Sequence, residues 1–357
     1  MIGAHAGGAL RARAERPHPA QPGPALRLAT RRSALALAQS RAVGERLCAI
    51  TGRRLEFVEV VTTGDLDPAP LARIGGTGVF VAAVREAVAR GEADLAVHSL
   101  KDLPTAADAR LALAAVPSRE DPRDALVTRT GTGLAGLPGG ARVGTGSPRR
   151  AALLRSARPD LEIVDLRGNV DTRLSRVAEG APQAPGADVP GSPPALDAVV
   201  LAVAGLARLA RTDRISEYLD PALVVPAPGQ GALAVEVRAD LAADPSAADL
   251  IDALRELDDP PTRAAVAAER ALLAALEAGC SAPVGALGRV SAEGGEPTVH
   301  LSAAMAAPDG SIVHMSTSGP AGRAEEVGRR LAGRLLAHPA VRLRAGEPAP
   351  ELGSPTG

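Results

Sequence analysis

Between Leu26 and Val237 the chain alternates short aliphatic and β-branched runs with longer runs whose apolar residues recur every three to four positions. This alternation constrains the fold more than any other feature. Strands and helices that follow one another singly stack into α/β layers, not into bundles or sandwiches. Strand candidates fall at Leu26–Ala29, Leu55–Val61, Asp94–Val97 and Leu111–Val116, with helices over Ser33–Ile50 and Phe80–Ala89. After Asp121 the pattern repeats. Strands are predicted at Ala125–Thr128, Arg142–Gly144, Leu161–Leu166 and Ala198–Val203, and helices follow Ser147, Val170 and Gly205. Pro226–Gly231 reads as a turn-rich crossing into a strand at Ala232–Val237. Thr262–Ala278 reads as a long helix, and a smaller β-containing segment follows it. A chain of 357 residues suits two or three such domains.

The cores must be built from aliphatic side chains, because Phe57, Phe80 and Tyr218 are the only aromatic residues. Stacking platforms for single-stranded nucleic acid are therefore excluded, and a net charge of −1 gives no global field for DNA or a membrane surface. Cys48 and Cys280 give no disulfide framework. Residues 1–25 are rich in Pro, Gly and Ala, carry no apolar signal core, and read as a disordered tail. No apolar run is long enough to span a bilayer. The expectation is a cytoplasmic protein. Residues 181–194, with five prolines, read as a surface insertion, and 347–357 as a flexible tail.

Three strand-to-helix turns carry arginines. In Gly144–Arg150, Ser147 suits a helix N-cap and Pro148 the first helical position, which puts Arg149 and Arg150 in the first turn. Cations are disfavoured there unless an anion binds, so an anion site and two solvated arginines stand as even alternatives. Arg167-Gly168 and Arg173 flank a second such turn, and Arg31 and Ser33 a third. A planar guanidinium at a strand's carboxyl end suits bidentate capture of a carboxylate. Lys101, the single lysine among 40 basic residues, precedes Asp102 after a buried strand. That pair is either a surface ion pair or a carboxylate holder beside a proton-moving group. Cys280, flanked by Gly279, is either a small buried hydrophobe or an accessible nucleophile. The residues alone leave two functional classes open: a non-catalytic periplasmic-type carboxylate-binding protein, and an enzyme acting on a polycarboxylate.

Eight stretches, in order, resemble the hydroxymethylbilane synthase (porphobilinogen deaminase) family. They are Leu28–Leu37, Ala96–Pro104, Arg119–Asp124, Val143–Arg150, Leu166–Val170, Leu201–Leu206, Pro228–Ala232 and Gly279–Gly285. The resemblance implies an α/β protein with two periplasmic-binding-protein-like (type II) domains plus a smaller α+β C-terminal domain. Domain 1 would take in 26–120 and 230–249, domain 2 residues 121–229, and domain 3 residues 250–346. The implied activity joins four porphobilinogen molecules stepwise into the linear tetrapyrrole hydroxymethylbilane, releasing ammonia at each step.

The resemblance also implies a dipyrromethane cofactor, built from two porphobilinogen units and held through a thioether to Cys280. Asp102 matches the catalytic aspartate. Lys101, Ser99, Thr145, Ser147, Arg149, Arg150, Arg167 and Gly168 match cofactor-binding positions. Arg31, Ser33, Phe80, Arg173, Arg208 and Gln230 match substrate-binding positions. By this reading, the acetate and propionate groups of the pyrroles offset the charge of Arg149 and Arg150. No metal is implied. The family pattern is a monomer that passes its product to uroporphyrinogen III synthase. Arg73 and Thr77 depart from it, standing where many relatives have lysines, and Pro148 replaces a residue that is more often aliphatic.

Overall fold

The computed structural model describes residues 23–60, 79–177, 195–277, 283–292 and 295–342. Cys280, Arg73, Thr77, the insertion 181–194, residues 1–22 of the N-terminal tail and the tail 347–357 lie outside the described residues, as does the side chain of Phe80.

The first lobe runs β1 (Leu26–Thr30), α1 (Ala34–Thr51), β2 (Leu55–Glu59), α2 (Val79–Ala89), β3 (Leu95–Ser99) and β4 (Leu111–Ala115). The second holds β5 (Asp124–Thr128), β6 (Arg142–Gly144), α3 (Pro148–Ala157), β7 (Glu162–Val164), α4 (Val170–Ser175), β8 (Ala198–Ala202), α5 (Val203–Arg208) and β9 (Glu217–Tyr218). The chain then returns to the first lobe as β10 (Leu233–Arg238). The sheet orders are β2-β1-β3-β10-β4 and β7-β6-β8-β5-β9. In each sheet the fourth strand is antiparallel to its neighbours and is the one that has just crossed from the other lobe. The two lobes are thus built on one plan, as the resemblance implies.

The inner strands β3, β5, β8 and β10 are buried along nearly their whole length, as strands covered on both faces are. Leu26, Leu28, Val43, Leu47, Leu95 and Val235 form one core of the first lobe, and Leu126, Val143, Leu154 and Val200 one core of the second. With only aliphatic volume available, truncating Leu47 or Leu126 to Ala costs about 2–5 kcal/mol.

Two crossings join the lobes and run side by side. The Glu120 amide donates to the Gly231 carbonyl at 3.2 Å. Gly231 has φ +88°, and a Cβ there would meet the Glu120 oxygen at 2.5 Å, so only glycine lets the crossings approach this closely.

Helix α6 (Ala248–Leu257) spans the expected domain boundary. A division after residue 249 would cut this helix, yet Leu250, Ala253, Leu254 and Leu257 pack into the core of β1 and α1. The helix therefore belongs with the first lobe. The third domain starts at α7 (Pro260–Ala275), capped by Asp259, whose side chain accepts from the Thr262 amide at 2.9 Å. Its antiparallel sheet β11 (Val284–Ser291), β12 (Thr298–Ala306) and β13 (Ile312–Pro320) packs on α7 and α8 (Ala324–Ala337). Two further details differ from the sequence expectation. α5 begins directly at Val203, so the predicted strand end is helical, and β7 covers only Glu162–Val164.

Candidate active site

In the first lobe β1 delivers the chain to Arg31, and the Ser33 side chain caps α1 by accepting from the Ala36 amide at 3.3 Å. Gln39 on α1 donates to Ser99 Oγ at 2.8 Å, which holds the end of β3 beside the helix. Residues Leu100–Asp102 then form a short 3-10 turn anchored by fully buried Leu100. A small cavity opens here, lined by Arg31, Ser33, Ser99 and Asp102 among others. The Asp102 residue is exposed. Buried His98 lies 3.3 Å from Glu236, which Arg85 of α2 holds at 2.9 and 3.1 Å. The His98 ring is not aligned for a hydrogen bond there, so it reads as a packed structural residue.

In the second lobe Ser147 caps α3 by accepting from the Arg150 amide, with Pro148 opening the helix as expected. The fate of the two arginines differs from the expectation. Both guanidiniums turn inward onto Asp124, whose side chain is fully buried at the start of β5. Arg149 Nη2 donates to Asp124 Oδ2 at 2.8 Å, and Arg150 Nη2 to Oδ1 at 2.7 Å. Arg149 also donates to the Val225 carbonyl, and Arg150 to that of Val200. The charge at the start of α3 is thus offset first by the protein. Two guanidiniums facing one carboxylate leave a net positive centre. Arg149 Nε is buried with no hydrogen-bond partner among the described residues.

Gln230, 1% exposed, ties this centre to the first lobe. Its Nε2 donates to Asp124 Oδ1 at 2.8 Å and to the Pro122 carbonyl at 2.7 Å, while its Oε1 accepts from Lys101 Nζ at 3.4 Å. Burial pushes the Lys101 ammonium down to about 8. Asp102 and Asp124 pull it back up, and Arg150 and Arg149 push it further down. For Asp124, burial raises the carboxyl, but Arg149 and Arg150 outweigh this and hold it well below the usual carboxylate range. Arg149 is itself lowered by burial, against the pull of Asp124.

The remaining expected residues fall around this centre in different ways. Arg173 donates to the Gly168 carbonyl at 2.8 Å and is lowered by burial, then by the charges of Arg150 and Arg167. The charges of Asp102 and Asp165 act on it in the opposite sense. Arg167 is half exposed and pairs with Asp165 at 3.2 Å. Thr145 accepts from the Ser147 amide at 3.2 Å. Arg208 donates to the Gly231 carbonyl at 2.7 Å, so in this conformation it braces the crossing between lobes. Asp124, Gln39 and Glu269 escaped sequence reasoning. Glu269 alone left a signal, as a charged residue in helical register with the buried Val266 and Leu272.

Among the described residues no helix is long and apolar enough to cross a membrane, and no group of three or more His, Cys, Asp or Glu could hold a metal ion. The fold and cleft define a two-lobed α/β protein whose lobes face each other across a cationic centre, with a third domain joined at the crossings. The chain belongs to the porphobilinogen deaminase family. The family model described as porphobilinogen deaminase, dipyromethane cofactor binding domain, matches residues 26–244, and that of the C-terminal domain matches residues 263–337. Porphobilinogen deaminase 1 of Streptomyces coelicolor is 52% identical over 328 residues, covering 90% of this chain and 97% of that one. Porphobilinogen deaminase 1 of Streptomyces avermitilis is 53% identical over 334 residues, covering 89% and 97%. Among solved structures, the cofactor-binding domain of the Cbl transcriptional regulator overlaps 67% of this chain and 89% of that one, at 14% identity and a TM-score of 0.39. The two-lobe assignment rests on the strand orders above, not on that overlap.

Proposed function

We propose that this chain is a hydroxymethylbilane synthase, a transferase that condenses four porphobilinogen molecules head to tail with loss of four ammonia. The observation that carries the reading is a continuous polar chain from Lys101, next to the exposed Asp102, through Gln230 and Asp124 to Arg149 and Arg150, in a chain of this family. Porphobilinogen carries an acetate and a propionate, and the cleft offers guanidiniums in excess of the Asp124 carboxylate.

The residues present fit the dipyrromethane group that the family model names. The net positive centre and the orphaned Arg149 Nε suit a ligand carrying several carboxylates. Lys101, Ser99, Thr145, Ser147, Arg149, Arg150, Arg167 and Gly168 are the residues assigned to hold it, with Cys280 as the point of thioether attachment. When bound, it supplies the pyrrole carbon to which the first substrate is joined.

The chain's own residues do the rest. Arg31, Ser33, Arg173, Arg208, Gln230 and Phe80 orient each incoming porphobilinogen. The Asp102 carboxylate stabilises the cation formed as the amino group of the aminomethyl arm leaves as ammonia and the methylene stays on the ring, and it receives the ring proton lost after that methylene forms the new carbon–carbon bond. The enzyme acts in the cytoplasm as a monomer and passes its product to uroporphyrinogen III synthase.

The test is the intact mass of the native protein beside Cys280→Ala, together with ammonia release from porphobilinogen. The expected result is a mass excess of one dipyrromethane on the native chain only, with one ammonia released per porphobilinogen consumed. No adduct and no ammonia would return the chain to the carboxylate-binding class.

A further inference from the structure

Helix α7 belongs to the third domain, yet two consecutive side chains on it grip the other parts of the molecule. Glu269, fully buried, accepts from Arg119 at 2.6 and 3.1 Å, from the Gly229 amide at 2.6 Å and from the Gly288 amide at 2.7 Å. Arg270 points at the first lobe. Its Nη1 donates to the Leu103 carbonyl at 2.9 Å, and its Nη2 to the Pro104 carbonyl at 2.7 Å. These carbonyls belong to the two residues that follow Asp102.

We infer that Arg270 is a positioning residue for the Asp102 carboxylate, a role resting on the functional reading above. On its upstream side the Asp102 turn is pinned by the Leu100 amide, which donates to the Ala232 carbonyl at 3.0 Å. On its downstream side the guanidinium fork spans two successive carbonyls. Little freedom remains between the fork and Asp102. Leu103 is extended at φ −80°, ψ 125°, as a residue before proline must be, and Pro104 has its own φ fixed by the ring. The Leu103 amide also closes the turn onto the Leu100 carbonyl at 3.1 Å. Displacement of the fork is therefore transmitted to Asp102 and not absorbed between them. A rigid fork can hold two carbonyls at once, whereas a lysine ammonium on a flexible stem cannot fix both in the same way.

The test compares R270K and R270M with the native protein, measuring kcat and KM per cofactor-loaded molecule counted by intact mass, and Tm. The expected result is full dipyrromethane mass in both variants, KM within about twofold of native, and kcat lower on the order of tenfold, the scale at which misplacing a catalytic group acts. R270K is expected to recover most of the Tm lost in R270M but not the kcat. Should R270M fail to fold, R270K alone decides. A fully loaded R270K with native kcat, or a kcat that recovers in step with Tm, overturns the inference. A native protein with no adduct and no ammonia release overturns the functional reading itself, which separates the two failures.

Discussion

Each lobe carries a serine-capped turn with two arginines, and their near-identical chemistry ends in opposite arrangements. At Thr30–Ser33 the arginines precede the cap. Arg32 stays at the surface, 3.0 Å from Glu59, and both partners are more than half exposed. At Ser147–Arg150 the arginines follow the cap, inside the first helical turn, and both are buried against Asp124. The order of cap and cation makes the difference. Arginines beyond the cap share their position with the helix's own positive end and stay buried only because a carboxylate from a crossing strand lies beneath them. The second lobe thus presents a buried cationic platform, and the first a surface arginine turn beside an exposed Asp102.

The most severe way to break this comparison is Asp124→Asn, which strands two buried guanidiniums and is expected to cost about 3–5 kcal/mol. Urea denaturation measures it, and a loss under 1 kcal/mol would mean that the platform is held by the carbonyls of Val225 and Val200 instead. Because Asp124 titrates below the usual carboxylate range, its contribution is present above the unfolded-state pKa. It is lost only as pH falls through the depressed folded value, so native stability should persist into moderately acid solution and fail in strong acid.

Asp102→Asn probes the other side. It is expected to leave folding and cofactor mass unchanged while lowering turnover on the order of a hundredfold. Near-native ammonia release would remove Asp102 from the reaction.

A smaller effect sharpens the role of Lys101. Its ammonium is charged below about pH 8 and neutral above, and carboxylate capture needs the charge. Capture of the dipyrromethane by the apoprotein should therefore weaken as pH increases from 7 to 9, by up to about tenfold one unit past the midpoint. Lys101→Arg should flatten that limb. A flat profile in the native protein would indicate that a bound carboxylate already holds the proton in place.

The smallest effect is expected of Arg32→Ala, within about 0.5 kcal/mol, because the pair with Glu59 is solvated. A larger loss would show that the first turn is as rigid as the second.

Much of this arrangement was legible in the chain. Strand–helix alternation places the lobes, and the Ser147-Pro148 pair fixes where α3 starts, because capping and proline chemistry act within one turn. What escaped is what depends on distant partners. Asp124 ends a stretch that carries the family resemblance, yet nothing local shows that it will lie under arginines 25 and 26 residues further on. Helix α6 also escaped, since its apolar face has meaning only against α1 and β1. Arg208 and Gln230 were expected at substrate carboxylates, and that their side chains also bond the crossings was not legible, because it depends on the backbone groups within reach.

The near absence of aromatic side chains has an optical consequence. The chain holds no tryptophan and a single tyrosine, Tyr218, on β9 at the edge of the second lobe. The guanidinium of Arg123, in the crossing from the first lobe, stacks 4.6 Å from the centre of its ring. Tyr218 is therefore a built-in fluorophore at the point where one lobe hands the chain to the other, with no second strong emitter to obscure it. Its emission lifetime reports on the β5–β9 edge of the second lobe in the unlabelled protein. The scaffold is close to transparent at longer wavelengths, so any pyrrole chromophore formed on it can be watched against a dark background.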